Sequence, residues 1–234
     1  MKYSFFTFLL LINYVLNAQR TIDVSKTDNT PVGNFYYTVN GVPFSTAKYI
    51  KVVEGSAFFS DGWMNGQVFY NDGTGYKDLL LKIDLLENEI HFLSSAGDEM
   101  IVSTPLKEVI LTDSITNISY RFMNSDFISK NGDLHKNQWY QSLEAGTTSL
   151  YKQIKKGISE SQPYGAATYE QKISTTPVYI ISTPAKNILI KKWKDLPDAF
   201  AEKKPLIEKF ITDNKLNGKS DADYINVLHY YNSL

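Results

Sequence analysis

A mainly β protein is what this sequence predicts: an antiparallel meander of about nine to eleven strands, forming a curved sheet or barrel, with a C-terminal helical pair. Three observations carry that expectation. In Leu79, Leu81, Ile83 and Leu85 every second residue is apolar, with Lys82 and Asp84 between them, the pattern of a half-buried strand. Turn signals then recur about every 10–14 residues, the spacing of short strands joined by short turns. From Asp195 onward the apolar period changes from that of a strand to that of a helix.

The elements follow in order. Val39-Asn40-Gly41-Val42 is a two-residue hairpin signal. Val68-Phe69-Tyr70 reads as a strand that enters Asn71–Asp78, NDGTGYKD, a stretch with the look of a ligand loop. It lacks the alternate oxygen ligands and the closing Glu of a calcium loop. It also lacks the spacing of a phosphate-binding loop, and Gly73 separates Asp72 from Thr74, which breaks an aspartic-protease Asp-Thr-Gly. It is expected to be a hairpin turn, with Gly73 and Gly75 at positive φ. Strands are then expected at Leu79–Leu85, Ile90–Phe92, Met100–Val102, Val109–Leu111, Ile118–Phe122, Trp139–Leu143, Leu150–Ile154, Tyr169–Ile181 and Ile188–Trp193. Turns at Glu87-Asn88, Ser95–Asp98, Thr104-Pro105, Asn131-Gly132, Gly146 and Pro184–Asn187 separate them.

Asp195-Leu196-Pro197-Asp198 opens the helical part, with acids and a proline in a first turn. Pro205 either kinks that helix or begins a second one. Ile207, Phe210 and Ile211 share a face, and Asn217-Gly218 is the expected stop. Ser220-Asp221-Ala222-Asp223 resembles a capping box. Tyr224, Val227, Leu228 and Tyr231 then form one apolar stripe, to be laid on the sheet.

The chain opens MKYSFFTFLLLINYVLNAQ, with Lys2 its only charge before Arg20. A charged start, a short apolar run and a small residue at the cut are the parts of a secretory signal, and the run is too short to span a membrane. Residues 1–18 are therefore expected to be removed, between Ala18 and Gln19, leaving a β-rich part over 19–194 and the helical pair over 195–234. With 0 Cys among 234 residues there is no disulfide, no thiol nucleophile, no thiolate metal site and no lipidated cysteine behind the signal. The formal net charge of −1 gives no clustered basic surface for nucleic acid. Lys152, Lys155 and Lys156, and Lys191, Lys192 and Lys194, form small basic groups of the kind that protect sheet edges.

No stretch carries a catalytic or cofactor motif. His91, His135 and His229 show no ligand spacing, so neither a metal nor a cofactor is expected. His91 alternates with Ile90 and Phe92 and should face away from their side of the sheet. Gly157-Ile158-Ser159-Glu160-Ser161 misses the final glycine of a serine nucleophile elbow. Glu87 and Glu89 could form a carboxylate pair, though Glu-Asn-Glu at a turn is usually a solvated tip. Trp63, Trp139 and Tyr140 are candidate ligand or interface aromatics. Trp139 and Tyr140 are adjacent, so one of them is expected to face out. Asp113-Ser114-Ile115 matches a short acceptor pattern for O-glycosylation at Ser114.

The signal end LNAQ, the segment YKDLLLKIDLLENEIHFL and the tail from Lys194 to Leu234 together resemble a group of uncharacterised, β-rich secreted proteins of Bacteroidota. The resemblance spans most of the chain after the signal and leaves out residues 20–45. It implies export and an envelope setting, and it brings no activity or site residue. The expected function is an exported non-catalytic binding or structural module. Its partner would be an envelope protein, a lipid or a glycan. The alternatives are a hydrolase with carboxylates converging from several strands and a glycan-binding module.

Overall fold

The computed structural model describes residues 20–23, 42–43, 51–165 and 168–234, and in it the strands join into one mixed, open sheet. The strands are β1 (Arg20–Asp23), β2 (Val42–Pro43), β3 (Val52–Glu54), β4 (Met64–Phe69), β5 (Thr74–Asp84), β6 (Glu89–Leu93) and β7 (Glu99–Ile101). They continue with β8 (Glu108–Thr112), β9 (Ser119–Asn124), β10 (Trp139–Glu144), β11 (Ser149–Ser161), β12 (Glu170–Ser182) and β13 (Asn187–Ile190). Eleven of them lie along one path, β13-β12-β11-β10-β9-β8-β4-β5-β6-β7-β2. The other two make the sheet mixed, because β1 lies parallel on β5 and β3 lies parallel on β12. The two ends of the path do not meet, so the barrel alternative is replaced by an open curved sheet.

The expected strands from β4 to β13 are present because their apolar residues alternate. In β5, Leu79, Leu81 and Ile83 are buried while Leu80 is exposed. The turn ahead of β5 is the expected hairpin: Tyr70 N–H donates to Thr74 O at 2.9 Å and Thr74 N–H to Asp72 Oδ1 at 2.8 Å, with Gly73 at φ 84°. Gly75 differs from expectation. It is not among the positive-φ glycines, and a Cβ there would stand 2.7 Å from the Phe69 ring, so it is glycine for packing. Asp78, at φ 60°, sits where the β4–β5 register shifts, a bulge that bends β5. Residues 39–41 of the predicted first hairpin lie outside the described residues; Val42–Pro43 pairs with β7 instead.

A short helix, α1 (Ser125–Ile128), follows β9, and its N-cap Asn124 accepts from Asp126 N–H. After β13, 3-10 turns over Trp193–Asp195 and Pro197–Lys203 lead to α2 (Lys204–Asp213) and α3 (Asp221–Ser233). Pro205 begins α2 rather than kinking it. The helix stops at Asp213, before the predicted Asn217-Gly218, and Gly218 serves elsewhere: at φ 72° it presses on the Trp193 ring, which an added Cβ would strike. The capping box does not form. Ser220 makes no side-chain cap, Asp223 Oδ2 accepts from Gly218 N–H at 2.8 Å, and Asp221 turns toward the sheet.

The core has three parts. Leu81, Ile83, Phe92, Val109, Leu111, Phe122 and Trp139 belong to the largest, on one face of β4–β10. Leu150, Tyr179, Ile181 and Ile190 pack with Leu196, Phe200, Ile207, Tyr224, Val227 and Leu228 under the helices. On the opposite face Tyr140 and Ile180 meet Ile128 of α1. Burial raises the phenols of Tyr70, Tyr140, Tyr151, Tyr179 and Tyr224 above their ordinary range. In the unfolded chain these phenols lose their protons near pH ~10. The unfolded state then binds fewer protons than the folded one, so stability is full below about pH 10 and declines as pH rises beyond it. In an alkaline titration the phenolate absorbance of these five is expected to appear together with loss of near-ultraviolet dichroism. Their ionisation in a protein that keeps its dichroism would contradict this.

Candidate functional site

The strongest concentration of chemistry lies on the β5–β6 hairpin and the neighbouring β7. Asp84 ends β5 and accepts through Oδ1 from the N–H groups of Leu86 and Glu87, both at 2.9 Å, which fixes the turn. The turn sets the register: Asp84 stands opposite Glu89, and Lys82 opposite His91. Directly opposed residues share a face, so Asp84, Glu89 and His91 project together, away from Ile83, Ile90 and Phe92.

His91 Nδ1 lies 2.7 Å from Glu99 Oε1 and His91 Nε2 lies 3.6 Å from Glu89 Oε2. The geometry assigns the ring hydrogen to Nδ1, donating to Glu99, and directs Nε2 toward Glu89. Phe58 meets the imidazole edge-on at 5.4 Å between ring centres. His91 and Asp84 are both fully buried, whereas the Glu89 and Glu99 side chains are each 28 % exposed. One ligand atom each from Asp84, Glu89 and His91 lie within 4.8 Å of one another. An imidazole nitrogen with two carboxylate oxygens is a donor set for a divalent cation such as Zn²⁺ or Mn²⁺. Glu99 on Nδ1 would then serve as the outer carboxylate that orients the histidine. With the histidine and one carboxylate buried, such a site would hold structure rather than bind substrate.

Glu89 also borders a cavity of about 400 Å³ whose wall includes Asn88, Asn124, Asp126, Asn137 and Trp139. Its rim is polar, and Asp126 Oδ1 is committed to Asn137 N–H at 3.1 Å.

The sequence-predicted residues are scattered. Trp63 is half-buried, with Lys82 Nζ 4.6 Å above its ring and 5.2 Å from that of Phe58, a cation held between two aromatic faces. Trp139 is 4 % and Tyr140 2 % exposed, on opposite faces of β10. This corrects the expectation that one of them faces out, because both faces of the sheet are covered at β10. His91 does face away from Ile90 and Phe92, as expected, and on that face it is buried against Phe58 and Glu99. Glu87 stays exposed in the turn, and only Glu89 of the expected pair reaches the histidine. His135 and His229 are exposed and lie apart from the cluster. Ser114 is exposed at the β8–β9 hairpin tip, where Asp113 Oδ1 accepts from Ile115 and Thr116 N–H at 2.8 and 2.9 Å. Those bonds, Thr116 first, hold the Asp113 carboxyl below its usual range. Ala18 and Gln19 lie outside the described residues.

The Asp84–Glu89–His91 grouping was hidden from motif reading because its ligands come from two strands. The signal was present as Asp84-x4-Glu89-x-His91 around a turn: once Glu87-Asn88 sets the register, the three must share a face.

Compared with protein-family models, with curated proteins and with solved structures, the chain shows no match.

Proposed function

We propose that this protein is an exported, non-catalytic binding or structural module of a bacterial envelope, and that its contact surface is the β11–β12 ribbon. The ribbon carries the reading. Its two strands pair continuously from Ser149↔Ser182 to Ser161↔Glu170. Beyond Ile154 it stands largely outside the core, and near its tip Tyr164 and Tyr169 are fully and 58 % exposed. Exposed tyrosines on an ordered arm are suited to anchoring a partner. Residues 1–18 support export, with cleavage between Ala18 and Gln19. No described helix is long and apolar enough to cross a membrane.

The alternatives have weaker support. A hydrolase would draw on the His91–Glu99 pair, whose imidazole is fully buried. A glycan module would retain Trp63, already covered by Lys82, and would lose Trp139 and Tyr140 to the interior. A lipid site would need a deeper and more apolar cavity than the one beside Glu89. Ser114, exposed at a hairpin tip, remains open to O-glycosylation. A second reading, favoured by the Asp84–Glu89–His91 geometry, is that a divalent cation stabilises the β5–β6 hairpin.

Photo-cross-linking in exporting cells, with the label at Tyr164 or Tyr169 and at exposed Glu87 as control, tests the contact surface. Adducts from the ribbon positions and none from Glu87 are expected. Equal labelling at all three would remove the ribbon as the surface. A parallel thermal-shift screen covers Zn²⁺, Mn²⁺, glycans and lipids. A cation-dependent rise lost in His91→Ala supports the second reading, and turnover of any stabilising ligand sinks the non-catalytic one.

A further inference from the structure

One edge of the ribbon is open. β10 pairs with β11 only at Leu150, Tyr151 and Lys152. From residue 155 to residue 161 no described strand lies on that side of β11, while β12 occupies the other side without a register break. Open edges are ordinarily protected by bulges, prolines, short length or charged side chains, and of these the stretch carries only charge: Lys155, Lys156 and Glu160, of both signs, which repel a foreign edge but can pair with each other across two copies. Here β11 is thirteen residues long, unbulged against β12 and free of proline. Ile158, in the middle of the open stretch, is 43 % exposed.

We infer that two copies of this chain join edge to edge through residues 155–161, antiparallel, with the two-fold axis at Ile158. Three features of the strand select that register. The first is parity. Antiparallel edge pairing has its two-fold axis perpendicular to the sheet, so opposed residues from the two copies must lie on the same face. Lys155 therefore cannot stand opposite Glu160, but Lys156 can. Lys156 donates to Thr175 Oγ1 at 3.1 Å and Glu160 accepts from Gln171 Nε2 at 2.8 Å, both across the same ladder, so each side chain is held along the ribbon face it shares with Ile158.

The second is charge. With Ile158 facing Ile158 of the second copy, Lys156 meets Glu160 and Glu160 meets Lys156, two opposite-charge pairs flanking one apolar pair. Shifting the axis by one residue either way loses both pairs. The third is length. The open stretch is bounded by β10 on one side and by Pro163, which has no N–H to give, on the other. Its midpoint is Ile158. A cavity of about 260 Å³ bordered by Lys155, Lys156, Leu86 and His135 lies where the end of the second copy's strand would enter.

The inference rests on the reading of the ribbon as a contact surface but not on the envelope setting, because self-association is measured on the purified protein alone. With 0 native Cys, Ile158→Cys introduces the single thiol of the chain. A short bis-maleimide is expected to link Ile158→Cys into a covalent dimer, and to link Tyr164→Cys or Ser114→Cys far less. Sedimentation of Lys156→Glu alone and of Glu160→Lys alone should show about tenfold weaker association than the parent. Mixing the two variants should restore it, since each supplies the charge the other lacks. A parent protein that stays monomeric at all concentrations, or Cys positions that cross-link equally, would overturn the dimer. So would variants that associate as well alone as when mixed. A monomeric parent that still yields ribbon adducts to another protein in cells would overturn the second copy as partner and leave the contact surface standing.

Discussion

Trp139→Ala is expected to lower the unfolding free energy by about 3–5 kcal/mol, the cost of deleting a large aromatic side chain from a packed interior. That is a large fraction of the ~5–15 kcal/mol that holds a typical domain together. For a chain of this size it corresponds to a fall in melting temperature of about 10 °C. Trp139 is 4 % exposed within the main core, and its backbone N–H reaches Asn88 Oδ1 at 3.4 Å, so the same residue touches both the sheet interior and the β5–β6 turn. Denaturant unfolding of Trp139→Ala and Trp139→Phe separates two roles. A core plug gives a large loss for alanine and a smaller one for phenylalanine. If alanine left the midpoint unchanged, the indole would be serving a surface role that its burial denies.

Tyr224→Ala should cost about 3–4 kcal/mol, with a different distribution of damage. Tyr224 stacks on Tyr179 at 3.6 Å between ring centres and receives Trp193 edge-on at 4.8 Å. Beside that stack Asp221 accepts from Tyr179 OH at 2.6 Å and from Lys152 Nζ at 2.8 Å. One turn of α3 thus carries both the apolar and the polar ties to β11 and β12. Hydrogen exchange should show α2 and α3 opening in Tyr224→Ala while β5 and β6 remain protected, because the two cores share few side chains. Uniform acceleration across the sheet would show instead that the helices and the sheet unfold as one unit. Asp221→Ala, which leaves a half-buried ammonium and a phenol short of their acceptor, should act in the same direction with about half the effect.

Periodicity made the sheet legible wherever one face of a strand is dry and the other wet. β5 is the clearest case, with Leu79, Leu81 and Ile83 buried and Leu80 exposed. It failed where that contrast is missing. β11 was expected to stop at Ile154, but it runs on to Ser161 because β12 supplies a backbone partner to residues with no apolar rhythm. At β10 both faces are buried, so adjacency of Trp139 and Tyr140 could not tell inside from outside. The helical stripe Tyr224, Val227, Leu228 was readable for the same reason as β5, while the capping box was not. The Asp223 carboxylate that would close the box accepts instead from the N–H groups of Asn217 and Gly218. The polar cluster at His91 was invisible to motif spacing and visible only through register, a property of the turn rather than of the three residues themselves.

The parallel pairing of β3 with β12 has a consequence in time. Lys51 and Glu170, joined by an ion pair of 2.8 Å at the start of that contact, are 119 positions apart. Synthesis from the N-terminus delivers β3 long before β12, and the intervening hairpins can form in sequence as they emerge. The seam between Val52–Glu54 and the ribbon must wait until almost the whole sheet has been delivered, since contacts across so long a loop form late. Until then β3 has no strand to lie on, and the chain remains a partly folded intermediate, open to retrieval, proteolysis or pairing with the wrong edge. Closing this seam would therefore act as a check on delivery: a chain stalled before Gln171 cannot close it, however much of the sheet has already formed.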